Sequence, residues 1–407
     1  MATHDWEFKP QFRAKALGWN GSAQGVQRLK DATAELKKAA KSDPIHAADG
    51  AVYLFGRIWP AFEQIDTSSG ALGSAVTRTQ LELIPMIAAA PADAKTRNDW
   101  LERLWQARQD DGVGYLETTS DHWGDLCASP EIASQWADRL VADVRDAWTD
   151  TSGKHRHAKG ACTCLSSLLA AGRHHDLWDL LALESHPFWP YRTFGFEAYV
   201  KEGRIEDALA YAEASTGHQR NPGIDVACEK LLIAAGRMEE AYTKHGLRAI
   251  GEYSTGLNAF RSLTKKYPDI DKKRILTDLA AASRDCGRYF AAAKDAGFYD
   301  LALKFAVQGH PDPSTMSRAC RDLIDKDAAF AHAIGQIAMQ RYLDGFGYEV
   351  TPSDWADAYR HYSEASDRIG ESPQARAWVK ELAEAIKKKS LAPWVGCLLA
   401  AIEGRRY

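Results

Sequence analysis

Signals for β-strands are scarce in this sequence. Alternating runs of Val, Ile and Thr hardly occur, and the hairpin dipeptide Asn-Gly appears only at Asn20-Gly21. No apolar run approaches the roughly 20 residues that a membrane-spanning helix needs. The stretch from Met1 to Leu17 is interrupted by charges and lacks the apolar core of a secretion signal. We therefore expect no sheet, no membrane span and no signal peptide.

Motifs for several kinds of chemistry are also missing. There is no Walker A pattern and no G-x-G-x-x-G after a strand, so we expect no phosphate-binding loop and no cofactor. Seven cysteines form an odd set without framework spacing, which favours free thiols in a reducing cytoplasm. A net charge of −4 gives no overall attraction to nucleic acid or to an anionic membrane. These features favour a cytoplasmic protein without a membrane partner.

Signals for helices, in contrast, are abundant. Val26, Leu29, Ala32 and Leu36 recur at helical spacing, as on one face of an amphipathic helix. Prolines that follow a capping side chain predict helix starts, because the cap accepts a bond from an unpaired amide and proline loses none. These pairs are Asp43-Pro44, Ser129-Pro130, Asn221-Pro222, Asp312-Pro313, Thr351-Pro352 and Ser372-Pro373. We expect an all-α protein of roughly 18 to 20 helices.

Four glycines divide the middle of the chain into similar pieces. Gly172, Gly203, Gly236 and Gly297 each stand between two apolar helical runs. The first three recur at intervals of about 31 and 33 residues, and the fourth follows after about two more periods. A period of this length is typical of stacked helical hairpins.

The repeat resembles the tetratricopeptide repeat. Its best copy runs from Tyr191 to Ser215, where Tyr199, Gly203 and Ala208 match that family's Tyr, its glycine between helices and its small contact residue. A second copy has Leu232, Gly236 and Ala241 at the corresponding positions, and the family's Trp-Leu-Gly opening is absent. The resemblance implies a right-handed α-solenoid of stacked antiparallel helical hairpins.

A second resemblance covers the C-terminal part. The segments that begin at Phe290, Asp312 and Gly345 are similar to an uncharacterised family of bacterial helical-repeat proteins. Some members of that family are associated with SWIM-type zinc fingers. This resemblance implies helical repeats and supplies no activity.

The repeat also predicts the organisation of the chain. We expect irregular helical pairs over 1–150, tetratricopeptide-like repeats over 151–310, and a C-terminal helical cap over 311–407 that continues the repeats. No long Ser/Gly-rich linker separates these segments, which favours one continuous superhelix.

The resemblance also selects candidate binding residues, since stacked hairpins leave an extended concave face. The groove positions of the tetratricopeptide family fall on Thr193, Glu197 and Lys201, with Lys230 and Lys159 in neighbouring copies. Arg192 ends an aromatic segment that starts at His186 and has the composition of a binding hot spot. We expect a non-catalytic scaffold or adaptor that binds a protein or peptide partner with these six residues.

Two other functions remain open. One of several basic clusters contains Lys154, Arg156 and Lys159. The first alternative is therefore a helical-repeat protein that binds nucleic acid with a basic face. Asp121, His122 and Asp125 offer acids beside an imidazole, so the second alternative is an enzyme with a pocket between helices near Asp121 and His122.

A metal site is the least favoured interpretation. His155, His157, Cys162 and Cys164 are residue types that bind zinc. However, the two cysteines begin a helix, where side chains two residues apart point about 200° away from each other. We therefore expect a solvated histidine-rich loop and no metal.

Overall fold

The computed structural model describes residues 5–150, 158–217, 220–250 and 254–388, and in these ranges the protein is all-α, without a strand. The described part contains 21 α-helices. This is slightly more than the sequence predicts, because short helices of four or five residues count separately. Within these ranges no helix has the length and apolar character to cross a membrane.

The chain divides into two compact units, Met1–Ile224 and Asp225–Tyr407. The three-segment organisation remains a prediction, since it follows the repeat pattern. A 3-10 turn, Lys9–Phe12, precedes the helices of the first unit. These are α1 Ser22–Ala39, α2 Pro44–Phe62, α3 Ala71–Ala89, α4 Ala94–Asp110, α5 Glu117–Asp121, α6 Trp123–Cys127, α7 Pro130–Thr149, α8 Ala161–Ala170, α9 His174–Leu181, α10 Trp189–Lys201 and α11 Ile205–Ala214.

The division between the units falls within α12, Pro222–Ala234. The second unit also contains a π-helical turn, Tyr242–Gly246, and a 3-10 turn, Cys286–Tyr289. Its other helices are α13 Met238–Ala241, α14 Gly256–Lys266, α15 Lys272–Ala282, α16 Phe290–Asp295, α17 Tyr299–Gln308, α18 Pro313–Leu323, α19 Ala328–Leu343, α20 Pro352–Arg368 and α21 Ser372–Lys388.

The proline signals locate the helix starts well. The Asp43 carboxylate accepts a bond from the His46 amide at 3.0 Å at the start of α2. Ser129 caps α7 in the same way, and Asp312 caps α18. Because the cap and the amide it binds are three residues apart, the sequence alone predicts these helix starts. Only α21 differs, since it begins at Ser372, one residue before its proline.

The four repeat glycines all close the preceding helix in one geometry. Their φ angles are +70°, +73°, +75° and +78°, a left-handed conformation that glycine adopts without strain. After α10, the Gly203 amide bonds the Val200 carbonyl and the Arg204 amide bonds the Tyr199 carbonyl, both at 3.0 Å. The other three turns repeat this pair of bonds. This is a Schellman closure, which pairs helix-end carbonyls that otherwise lack donors.

An arginine after three of these glycines starts the next helix. The Nε atoms of Arg173, Arg204 and Arg237 each donate, at 2.7 Å, to an acid three residues further on. The pattern Gly-Arg-x-x-Asp/Glu is thus a compact turn that ends one helix and orients the next. Gly345 and Gly370 form the same closure with φ of +86° and +78° in the C-terminal part, where the sequence shows no regular period.

Helices of the first unit alternate between two rows. Gly25 faces Leu72 near the start of α1 and α3, and Lys37 binds Glu82 nearer to their ends, so these two helices run parallel. Contacts continue from α3 to α6, from α6 to α8 and from α8 to α10, which we call the first row. Helices α2 and α4 also run parallel, in the other row. One continuous apolar core lies within this unit.

The second unit also contains packed helical pairs. Rings of Tyr299 and Phe330 meet at 4.8 Å where α17 and α19 begin, and Arg341 donates to the Ala306 carbonyl near their ends, so the two run parallel. Helices α19 and α20 are antiparallel, because Tyr342 packs on Trp355 while His332 bonds Ser366.

Candidate partner-binding face

Helix α3 has an unusual outer side. It buries Leu72, Val76, Leu83 and Ile87 in the core, as an amphipathic helix does. Its exposed charged residues, Arg78 and Glu82, lie near the middle of the helix. The other outer positions from Leu81 onward are apolar or small: Leu81, Pro85 and Ala89 are exposed and Ala88 is half-buried. We call this outer side the α3 face. Leu81 alone is 49% exposed, a large accessible area for a leucine.

A groove of about 490 Å³ lies between the second half of α3 and the start of α6. Its wall on α3 is aliphatic, and its opposite edge carries an imidazole and a carboxylate. Seven residues line it: Leu81, Ile84, Pro85, Ala88, Ala89, His122 and Asp125. An apolar groove with a few polar groups at its edge is typical of sites that bind apolar side chains in a defined orientation.

The polar edge is a hydrogen-bonded histidine–aspartate pair. His122 Nδ1 lies 2.9 Å from Asp125 Oδ2, three residues further on and partly in solvent. The hydrogen bond to Asp125 raises the pKa of His122 above its ordinary value, and the same bond lowers the pKa of Asp125. Of the two acids that the sequence places near His122, Asp121 and Asp125, the structure places Asp125 against the imidazole.

Helix α10 contributes charge to the same edge. Glu197 is near enough to raise the pKa of His122, and Lys201 is near enough to lower the pKa of Asp125. Both side chains are exposed, and the half-buried Thr193 lies one turn before Glu197 on the same stripe of the helix. The charges of two predicted binding residues therefore reach the edge of the α3–α6 groove, although these residues are far from it in the sequence.

The other predicted binding residues lie elsewhere. Lys159 is exposed in the turn that leads into α8, and Lys230 is exposed on α12 in the second unit. The Arg192 guanidinium is mostly buried, donates to the Glu184 carbonyl at 2.9 Å and lies 3.6 Å from the Glu184 carboxylate. Arg192 thus ties the loop after α9 to α10.

Arg97 positions the apolar half of α3 and is not among the residues predicted from the sequence. It is only 3% exposed, and its guanidinium donates to the carbonyls of Ile87 and Ala90 at 2.6 Å each. Weaker bonds reach the Ala88 and Leu126 carbonyls. These groups end α3 and α6, where a cation is favoured by the helix dipole. Arg97 therefore holds the two helices that form the groove.

A second, basic groove of about 300 Å³ lies between α1 and the middle of α3, from Ala75 to Glu82. Lys37 is paired with Glu82 at 2.7 Å across it. Lys30 and Arg78 also line the groove, are exposed, and form no ion pair within the described residues. Both grooves thus border α3, and the basic groove lies nearer to its start than the apolar groove does.

The thiols near this face are not activated for nucleophilic attack. Cys162 is half-buried beside Asp121, and burial together with that carboxylate raises the pKa of the Cys162 thiol. Burial also raises the pKa of Cys127 to about 12. A thiol with a raised pKa stays protonated at neutral pH and attacks slowly.

The candidate metal cluster is only partly described. His155 and His157 lie outside the described residues, as do Lys154 and Arg156 of the basic cluster. Cys164 is fully buried while Cys162 is half-buried. Among the residues that the structure covers, no group of three potential metal ligands occurs.

Comparison of the chain with protein-family models, with curated proteins and with solved structures found no match.

Proposed function

We propose that this protein is a non-catalytic cytoplasmic scaffold that binds a protein or peptide partner on the exposed side of the first row of helices. In this proposal the hairpins stack as a right-handed, tetratricopeptide-like α-solenoid and the first row is its concave side. The parallel pairs α1 with α3 and α2 with α4, each separated by one antiparallel helix, support such stacking.

The groove between α3 and α6 is the observation that carries the proposal. Leu81 on its aliphatic wall is half in solvent, and covering this wall with a partner is favourable because it removes apolar surface from water. The His122–Asp125 pair, with Glu197 and Lys201 beside it, provides donors and acceptors that orient the partner. An apolar centre with a polar edge is the usual anatomy of a protein interface.

Binding fits this groove better than catalysis does. The histidine and aspartate form a pair that accepts or donates a proton, but none of the seven lining residues is a serine, threonine or cysteine. The nearby thiols have raised pKa values, as described above. A His–Asp pair without a nucleophile beside it is suited to hydrogen bonding with a ligand.

Peptide selection tests the proposal. A random-peptide phage library is selected on immobilised wild-type protein, and the enriched peptides are synthesised and measured by fluorescence anisotropy. Leu81→Glu places a charge on the groove wall, and we expect at least about tenfold weaker binding, since a buried leucine contributes about 1.5–3 kcal/mol.

Val113→Glu is the matched control. Val113 is 60% exposed in the turn before α5, so the substitution makes the same change of an exposed aliphatic residue to glutamate. It should leave peptide binding unchanged. The proposal is wrong if no peptide is enriched over the uncoated surface, or if Leu81→Glu binds the enriched peptides as tightly as the wild type while its circular dichroism is native.

A further inference from the structure

We infer that the partner of the α3 face is an acidic, amphipathic peptide segment. Its apolar side chains occupy the α3–α6 groove, and its Asp or Glu side chains lie along the α1–α3 groove against Lys30 and Arg78. The inference rests on the proposed function and adds to it the chemistry of the partner and its direction on α3.

The polarity of α3 itself supports a partner with two unlike ends. Arg78 and Ala88 are ten residues apart, which corresponds to about 15 Å along a helix. Along this length Arg78 lines the α1–α3 groove, and from Pro85 to Ala89 the outer side of α3 carries no charge. A segment of about ten helical residues spans both grooves at once, with acids at one end and apolar residues at the other.

The charges of the α1–α3 groove favour an acidic occupant. Glu82 is paired with Lys37 at 2.7 Å and neutralises that one lysine. Lys30 and Arg78 remain without an acid in the part of the chain that the structure describes. A partner that covers them must supply carboxylates, because covering an unpaired cation with an apolar or basic surface costs its hydration without compensation.

The same groove has an apolar floor, which favours a polypeptide over nucleic acid. Val26, Leu29 and Ala75 also line it, and the adjoining α3–α6 groove is lined by aliphatic side chains. Proteins that bind single strands use aromatic side chains on which the bases stack, and neither groove is lined by one. Aliphatic surface beside two cations is suited to leucine-like and carboxylate side chains on one segment.

The test uses the peptides selected on the wild-type protein and a second set in which every Asp and Glu is replaced by Asn or Gln. We expect the selected peptides to be rich in acids, and the amide versions to bind severalfold more weakly. Lys30→Glu and Arg78→Glu should each weaken the acidic peptides about two- to fivefold, and the double variant about tenfold. Neither variant should change the binding of the amide versions by more than about twofold.

Lys38→Glu is the matched control for these variants. Lys38 is exposed on α1, the same helix as Lys30, but does not line the groove. The change in net charge is identical, so any general electrostatic effect appears in all three variants. Only an effect that is specific to Lys30 and Arg78 supports the inference.

The outcomes separate this inference from the proposed function. Enriched peptides that depend on Leu81 but carry no acids, or that bind Lys30→Glu and Arg78→Glu as well as Lys38→Glu, overturn the acidic partner and leave the scaffold intact. If no peptide is enriched, both the scaffold function and the acidic partner are wrong. If a labelled random-sequence RNA binds, and its binding is lost in the Lys30→Glu, Arg78→Glu double variant but not in Leu81→Glu, the groove binds nucleic acid and the inference is wrong.

Discussion

Replacing Gly203 by alanine tests the turn that repeats along this chain. Gly203 is exposed at the end of α10 with a φ of +73°, and a Cβ atom added there meets nothing within 4 Å. The cost of Gly203→Ala therefore comes from the left-handed backbone alone, since no neighbour has to move. For an L-residue this cost is about 1–2 kcal/mol.

Gly56 provides the opposite case in the same unit. It lies inside α2 with helical backbone, and an added Cβ atom stands 3.9 Å from the Cβ of Ala107, an ordinary contact. Gly56→Ala should stabilise the protein by about 0.5–1 kcal/mol, because alanine loses less backbone entropy than glycine when a helix forms. The two variants make the same chemical change and should differ by about 1.5–3 kcal/mol in total.

Urea unfolding followed by tryptophan fluorescence measures both variants. Because the chain forms two compact units, the comparison uses the transition midpoint of the first unit, which contains Gly56 and Gly203. Gly203→Asn should recover part of the loss, since asparagine tolerates the left-handed region better than alanine. If Gly203→Ala unfolds at the wild-type midpoint, or if both alanine variants shift in the same direction, the turn does not need glycine for its backbone.

Two further predictions concern the groove. Arg97→Met should destabilise the first unit by about 3 kcal/mol or more in urea unfolding, because it leaves several buried carbonyls without donors. Arg103→Met, on the same helix but partly in solvent, should cost no more than about 1 kcal/mol, and equal losses would contradict the role of Arg97. In an NMR titration, His122 should show a pKa above 6.5 that falls in Asp125→Asn, while His332, whose pKa burial lowers, stays below 6.5. Because folding raises the pKa of His122, its pair with Asp125 stabilises the fold fully below pH 6.5, and this stabilisation is lost as the pH rises through the pKa of the folded state. His122→Asn should therefore be most destabilising in acid. If Asp125→Asn leaves the pKa of His122 unchanged, the two residues do not form the pair.

Some of the candidate site could be predicted and some could not. The stripe of Glu197 and Lys201 follows from helical spacing and the repeat register, and the charges of both residues reach the groove edge. The apolar wall on α3 is visible in the sequence as a stretch from Leu83 to Ala90 without a polar residue, although a surface helix normally carries some. Arg97 left no signal, since an arginine inside α4 is an ordinary exposed residue until the ends of α3 and α6 are placed around it.

The sequence by itself determines where helices begin and end in this protein. Asp43 binds the amide three residues ahead, and Gly203 and Arg204 close bonds to carbonyls within five residues, so the information lies in short segments. Tertiary structure alone decides which helix faces are covered. The charge of Glu197 reaches His122 because α6, α8 and α10 pack in sequence, and Arg78 lines a groove with Lys30 because α1 packs on α3. That packing depends on the summed burial of many apolar side chains from distant parts of the chain, which no local pattern specifies.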